Sequence, residues 1–274
     1  MTFHSRRYES AVAAQDVALL TLFNAYFATE LADCPDRVRT AHRIRHQVYS
    51  LENPFEAGNP DGIETDRFDS HSAQSLLIYR PNGMALGTAR LILPCREDIE
   101  HSFPVQSVLD GDALREFREL PLSSTAEVSR FSISRQLRQL IGTCDEKQNQ
   151  VIANAAPLMR LGLIQGLVRM SVQHGITHWC AVMEQSLMRM LSAMAIRFHP
   201  IGPLVEHHGL RQPCWIALDE MLNAVRRDRP AFWAVLTNGG TAGREQVPIQ
   251  ADCEPRLFPI PAHNPSTAEG MQRS

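Results

Sequence analysis

The chain has 274 residues, 44% hydrophobic and 21% charged, and its 27 basic and 30 acidic side chains give a formal charge of −3. Such a composition excludes a disordered, collagen-like or coiled-coil chain and offers no global electrostatic case for nucleic acid. The length is sufficient to bury a core without a metal or disulfide staple.

Val17 to Leu31 holds Leu19, Leu20, Leu22, Phe23, Tyr26 and Phe27. It reads as an apolar-rich helix that covers the core or forms part of an acyl-chain tunnel. Pro35 stands where a first helical turn tolerates proline, and Val38, Ala41, Ile44, Arg45 and Val48 recur at helical spacing up to Tyr49. A loop rich in Asn, Pro, Gly and Asp runs from Leu51 to Ser70. Ser75–Tyr79 and Ala85–Leu93 are predicted strands joined through Pro81-Asn82-Gly83, whose Asn-Gly pair suits a tight hairpin. Glu127–Ile133 is a third strand. Ala155–His174 has helical periodicity and is ended by Gly175. Thr177–Val182 reads as a strand and Gln185–Phe198 as a helix whose methionines are core filler. Pro213–Leu218 is the last strand and Asp219–Arg227 a short helix. The Gly- and Pro-rich segment 239–274 predicts a mobile tail behind one domain of residues 1–238.

This order predicts an α/β (α+β) layer architecture, a mixed sheet with helices packed on it. Neither G-x-G-x-x-G after a strand nor G-x-x-x-x-G-K-[ST] occurs, so nucleotide-phosphate binding by those routes is excluded. Six cysteines, Cys34, Cys95, Cys144, Cys180, Cys214 and Cys253, are scattered without a C-x-x-C pair and read as reduced thiols. Met1 to Gln15 is polar and charged, unlike a secretory leader. No stretch reaches the ~18–20 apolar residues that span a bilayer. A cytoplasmic protein is expected.

Charges stand where the pattern wants none. Arg45 lies among apolar helix neighbours, and Arg90 interrupts the strand Gly87–Leu93. Asp66 and Asp69 bracket Arg67-Phe68 in a loop with Glu64, and Glu127 and Arg130 open the third strand. A buried ion without a partner costs several kcal/mol. One network of Arg45, Arg90 and Arg130 with Asp66, Asp69 and Glu127 balances these charges; independent surface pairs, each worth about 0–1 kcal/mol, are the alternative. Glu127 and Arg130 are three apart and point to opposite faces of a regular strand. Only a bulge or twist lets both serve one site.

Arg45 and Tyr49, Phe55, Glu64-Thr65-Asp66-Arg67-Phe68-Asp69, Gly87-Thr88-Ala89-Arg90-Leu91, Phe103 and Glu127-Val128-Ser129-Arg130-Phe131 form an ordered set. It resembles the signature of the acyl-homoserine-lactone synthases, which have the GNAT-type N-acyltransferase fold. Tyr49 stands where those synthases usually have Phe, and Phe55 where they have Trp. With the longer stretch Arg135–Ala156 and the segment Glu206-His207-His208-Gly209-Leu210-Arg211-Gln212-Pro213, the chain is more similar to the PEP-CTERM/exosortase-associated acyltransferases and N-acyl amino acid synthases.

The resemblance implies a mostly antiparallel central sheet, splayed at a bulge, with helices on both faces. It also implies an acyltransferase that moves a fatty acyl group from an acyl carrier protein or CoA thioester to the amine of an amino acid or similar small amine. A lactone synthase using S-adenosylmethionine, or a non-catalytic member binding a lipid or partner, are the alternatives. Glu127 and Arg130 are the implied catalytic pair. Arg45, Tyr49, Phe55, Asp66, Asp69, Arg90, Phe103, Phe131 and Ser132 are the implied substrate-binding residues. No cofactor beyond the thioester co-substrate is implied, and the adjacent His207 and His208 have no metal-ligand spacing. Gln139-Leu140-Ile141-Gly142-Thr143 matches a pyrophosphate loop only in part, which favours a carrier-protein donor with Arg135, Arg138 and Arg160 toward its acidic surface.

Overall fold

The hairpin turned at Asn82-Gly83 shows how the fold is specified. The computed structural model describes residues 18–53, 59–135, 156–207 and 209–241. Strands β2 (Ser72–Tyr79) and β3 (Met84–Ile92) pair antiparallel. Asn82 Oδ1 accepts from the Met84 N–H at 3.0 Å, and Gly83 supplies the positive φ of the turn. Successive side chains of a strand point to opposite faces. Leu76, Ile78 and Ala85 therefore pack with Ala41 and Ile44 of helix α2 (Pro35–His46), where α1 is the helix at 18–26. Leu77, Tyr79, Leu86, Ala89 and Leu91 face the other way, into the main core. Helix α4 (Ala156–His174) covers that side; α3 is Gly111–Arg118. The sheet thus carries helices on both faces.

The strand order is β1-β2-β3-β4-β5-β8-β6, with β7 paired to β8. Here β1 is Phe27–Leu31, β4 Thr125–Ile133, β5 His178–Met183, β6 His199–Pro200, β7 Val205–Glu206 and β8 Leu210–Ala217. Every pairing is antiparallel except β4 with β5. The remaining helices are α5 (Gln185–Ala193), α6 (Leu218–Asp228) and α7 (Pro230–Leu236). No helix among the described residues is long and apolar enough to cross a membrane. Cys180 and Cys214 are buried free thiols, while Cys34 and Cys95 are partly exposed.

Several elements depart from the sequence reading, among them α7 and β7, which it did not foresee. The helix expected over Val17–Leu31 ends at residue 26, and Phe27–Leu31 is instead an edge strand with Phe27 opposite Tyr79. Phe27 and Thr29 point inward, Thr29 Oγ1 donating to the Gly162 carbonyl at 2.9 Å, so a period of two lay hidden in an apolar run. Helix α5 stops at Ala193 instead of Phe198, because Ala195 turns to φ 67° and the chain then joins β8 as β6. Helix α3 was not foreseen: Ala113 and Phe117 are its buried residues, with Leu114 packed beside them. Beyond Thr241 the expected tail lies outside the described residues.

Candidate active site

Strand β4 is the pivot. It pairs with β5 only through Thr125–His178, Ala126–Trp179 and Glu127–Cys180. Past that point β4 stays with β3 to Ile133, while β5 follows β8 to Met183 opposite Gln212. The sheet parts into two halves there. No strand among the described residues covers the β4 edge from Val128 to Ile133.

The register of β4 on β3 also slips here: Thr88 faces Ser132 but Arg90 faces Ser129. One extra residue therefore sits on β4, and Arg130 takes φ 50°. A non-glycine residue in the left-handed region costs on the order of 1–3 kcal/mol and persists only when its surroundings fix it. The bulge turns Ser129 and Arg130 to the face that carries Glu127 and Arg90. Gly87 belongs to the same device, since a Cβ there would lie 2.6 Å from the Ser132 carbonyl oxygen.

On that face the three arginines converge. Arg90 forks onto Asp66 at 2.7 and 2.8 Å, reaches Asp69 Oδ1 at 2.8 Å, and donates from Nε to Ser129 Oγ at 2.9 Å. Arg45 forks onto Asp69 at 2.5 and 3.1 Å and donates from Nε to Glu64. Arg130 holds Glu64 at 2.8 and 3.1 Å and Asp66 at 3.3 Å. Arg45 and Arg90 are fully buried. A capping box holds the loop: the Asp66 carboxylate accepts from Phe68 N–H, and the Asp69 carboxylate from Asp66 N–H. The third acid of the network is Glu64, which corrects the expectation of Glu127. Glu64 is two residues from Asp66 in an extended stretch, so both reach one site with Asp69 folding back through its helical turn. That spacing was the available signal.

Burial opposes ionisation of these acids, but the guanidinium groups outweigh it. The Glu64 carboxyl is held down at about 2 by hydrogen bonds from Arg130 and Arg45, and Asp66 and Asp69 are also lowered. A depressed acid contributes stability above its unfolded pKa and loses it as pH falls through the folded one. The melting temperature is expected to drop steeply from pH 4.5 toward 2, and calorimetry of wild type and Glu64→Gln checks this. The variant should melt lower at neutral pH and show a shallower acid limb; parallel acid limbs would contradict the pairing.

Glu127 has a different environment. It is buried at the last β4–β5 pair, at the apex of the opening. Its Oε2 accepts from the Val105 N–H at 2.8 Å. Burial pushes its carboxyl up to about 8, against the pull of that N–H and of Arg90 and Arg130. Phe103, expected among the substrate contacts, is in the core against Phe117 at 6.4 Å and does not line the slot. It fixes the turn that presents Val105 to Glu127, its own N–H donating to Gln106 Oε1.

Between the parted strands lies a cavity of about 420 Å³. Its buried wall is apolar: Ile164, Leu167, Trp179, Leu191 and Ile196. The indole N–H of Trp179 is satisfied by Ser171 Oγ at 2.8 Å, so it leaves no polar demand in the wall. Phe131 and Ser132 line the cavity as expected, and Ser132 Oγ is buried with no hydrogen-bond partner among the described residues. Tyr49 stands on a π-helical turn, Gln47–Glu52, and its ring lies 5.1 Å from the Arg130 guanidinium. π-helical turns often mark functional sites. Phe55, Arg138 and the partial pyrophosphate loop at 139–143 lie outside the described residues, as does His208. Arg160 borders an adjoining cavity with Phe131 and Ile133.

Sequence reasoning missed two features of the slot mouth. Glu52 clamps the end of β4, accepting from Ser134 Oγ at 2.5 Å and Arg135 N–H at 2.8 Å, and so occupies Arg135. Arg211 and Glu184 line the same mouth. Nothing in local spacing marks either, because each meets its partners across the fold.

Residues 44–143 match the family model described as the acetyltransferase (GNAT) domain. A search of curated protein sequences found no match. Among solved structures, TofI in a ternary complex with an inhibitor and MTA is 19% identical, covering 74% of this chain and 98% of its own, with a TM-score of 0.50. BjaI, a CoA-dependent acyl-homoserine lactone synthase, with MTA is 15% identical, covering 78% and 90%, also at 0.50. FeeM, an N-acyl amino acid synthase from uncultured soil microbes, is 14% identical over 72% and 94%, at 0.48. The overall fold is thus shared with TofI and BjaI. Residues 44–143 are similar to the acetyltransferase (GNAT) domain, and this match, with the shared fold, supports an acyltransferase.

Proposed function

We propose that the protein moves a fatty acyl group from a carrier-protein or CoA thioester to the amine of an amino acid or similar small amine. The observation that carries this reading is the early parting of β4 from β5, which leaves a strand edge above an apolar cavity of about 420 Å³. Backbone groups of an uncovered edge hydrogen-bond readily to an extended ligand, as the amides of a pantetheine arm require. The apolar wall suits an alkyl chain, and Ser132 Oγ offers a donor to the thioester carbonyl oxygen as charge develops there.

The amine must be neutral to attack, yet an α-ammonium has a pKa of about 7.7–8.0. A carboxylate raised to about 8 accepts that proton at little free-energy cost, directly or through one water. The amine nitrogen then bonds to the acyl carbon and the C–S bond breaks. The thiolate leaves and takes up the proton that the new amide nitrogen sheds. Arg130 anchors the bulge and balances Glu64 and Asp66 beside the reacting groups. We place the protein in the cytoplasm, where such thioesters are available, and in the exosortase-associated branch on the strength of Tyr49 and the segment 206–213.

Lipid extracts of an expressing strain, analysed by mass spectrometry, test the reading. N-acyl amino acids are the expected product. Acyl-homoserine lactones would assign it to the S-adenosylmethionine-using synthases, and no new acyl amide would reduce it to a binding protein.

A further inference from the structure

Glu127 stands at the apex of the opening but does not itself line the slot. On its face of the sheet it is flanked by its register partners, Ile92 on β3 and Cys180 on β5. Val105, whose N–H it accepts, closes a third side. All three residues are fully buried. Along β4 the same face carries Thr125 before Glu127 and Ser129 after it. Thr125 is also fully buried, its hydroxyl donating to the Pro121 carbonyl at 3.0 Å. Of these neighbours Ser129 alone lines the slot.

Ser129 faces Arg90 across the β3–β4 pair, and Arg90 Nε donates to its Oγ at 2.9 Å. A hydroxyl has one hydrogen to donate and two lone pairs to accept with. Arg90 takes one lone pair, which fixes the oxygen at the edge of the slot and leaves the other lone pair and the hydrogen for transfer. The remaining ionisable groups around Glu127 cannot carry a proton to it. Arg90 and Arg130 act on it from β3 and β4 and stay protonated. Asp66 is forked by Arg90 and lowered, which makes it a poor acceptor. The Cys180 and Cys214 thiols are pushed up by burial and stay neutral.

We propose that Ser129 is the proton relay between the attacking amine and Glu127. Its second lone pair accepts an N–H of the acceptor ammonium in the slot, and its own hydrogen turns along β4 toward the Glu127 carboxylate. Two residues of a strand span about 6.6 Å, so one water completes the path. As the ammonium proton moves onto Oγ, the hydroxyl hydrogen passes to the water and a water hydrogen to Glu127. Ser129 and the water are neutral before and after; the ammonium becomes the neutral amine and Glu127 the neutral acid. Once product has left, the same chain runs backward and returns the proton to solvent in the slot. This rests on the N-acyl-transfer reading, with Glu127 as proton acceptor, and adds the residue that connects the acid to the slot.

The test follows thiol release by the purified protein across pH, with an acyl-CoA or acyl-carrier-protein donor and its best α-amino acid acceptor. Ser129→Ala is expected to lower kcat by about tenfold or more and to flatten the rise with pH that Glu127 gives. The double variant Ser129→Ala with Glu127→Gln should turn over as slowly as Glu127→Gln alone, because a relay contributes nothing once its terminus is gone. Ser129→Thr keeps the hydroxyl and should recover most of the rate. A merely structural role would lower kcat equally at every pH and in both backgrounds. Losses that multiply in the double variant, or a Ser129→Ala that keeps the wild-type pH profile, would therefore overturn the relay and leave acyl transfer intact. If Ser129→Ala fails to fold, wild-type kcat in mixtures of light and heavy water decides. A curved dependence on deuterium content is expected, from more than one proton in flight, and a linear one would overturn the relay. A Glu127→Gln as fast as wild type, or no thiol release with any acceptor, would remove the reading beneath the relay, and the relay with it.

Discussion

Arg90→Ala is expected to be the most destabilising single change in the molecule. Arg90 is 1% exposed and sits between Asp66, Asp69 and Ser129. Removing one partner of a buried pair leaves uncompensated charge and costs about 3–5 kcal/mol. At about 2–4 °C per kcal/mol for a chain of this size, the melting temperature should fall by about 10 °C or more. Arg90→Lys should recover only part, because an ammonium cannot fork onto Asp66 while also reaching Asp69 and Ser129. The mechanism can be separated from simple loss of volume. In Arg90→Met the stem is kept and the charge removed, so a loss close to that of Ala would assign the effect to the unpaired acids. A wild-type melting temperature for Arg90→Ala would mean that the network contributes nothing to the fold.

Glu127→Gln is expected to have the largest effect on turnover. A positioned proton acceptor contributes about 10²–10⁴-fold, and the isosteric amide keeps the contact region around Val105 while losing the basic oxygen. Wild-type turnover should rise with pH toward about 8 as Glu127 ionises, since it is mostly protonated at pH 7. In the variant the residual rate should follow the free amine alone. The same acid sets an opposite trend in stability. Between its unfolded pKa of about 4.5 and its folded value of about 8 the native state holds one proton more, so stability falls as pH rises through that window. Glu127→Gln should remove that fall, melting higher than wild type at pH 8–9 though it turns over more slowly. Unchanged activity across pH would exclude the proton-acceptor role, whatever the melting behaviour.

The parts of the structure legible in the sequence are those set by local pattern. The Asn82-Gly83 turn, the helix ended by Gly175 and the strand Glu127–Ile133 each carry their own signal, and each forms where expected. The convergence of Arg45, Arg90 and Arg130 followed from the expense of burying an unpaired ion, and the need for a bulge from the odd spacing of Glu127 and Arg130. What failed was the assignment of partners. Glu64 and Glu127 are both acids near Arg130, and only the register of β4 on β3 shows that Glu64 takes the guanidinium while Glu127 turns under Val105. The edge strand Phe27–Leu31 was hidden for a related reason: in a run of apolar residues, two periodicities fit until the neighbouring strand edge selects one. Arg211 and Glu184 were invisible because they become neighbours only where β5 ends against β8.

The slot between β4 and β5 is the element on which the function depends. The most direct test is a crystal structure of the protein with a non-hydrolysable thioether analogue of a long-chain acyl-CoA. The alkyl chain is expected between Phe131 and Leu187, running to Trp179 and Leu191, with the pantetheine amides on the β4 edge between Val128 and Ile133. An analogue bound elsewhere, with that cavity left to solvent or closed by the protein's own side chains, would contradict the account.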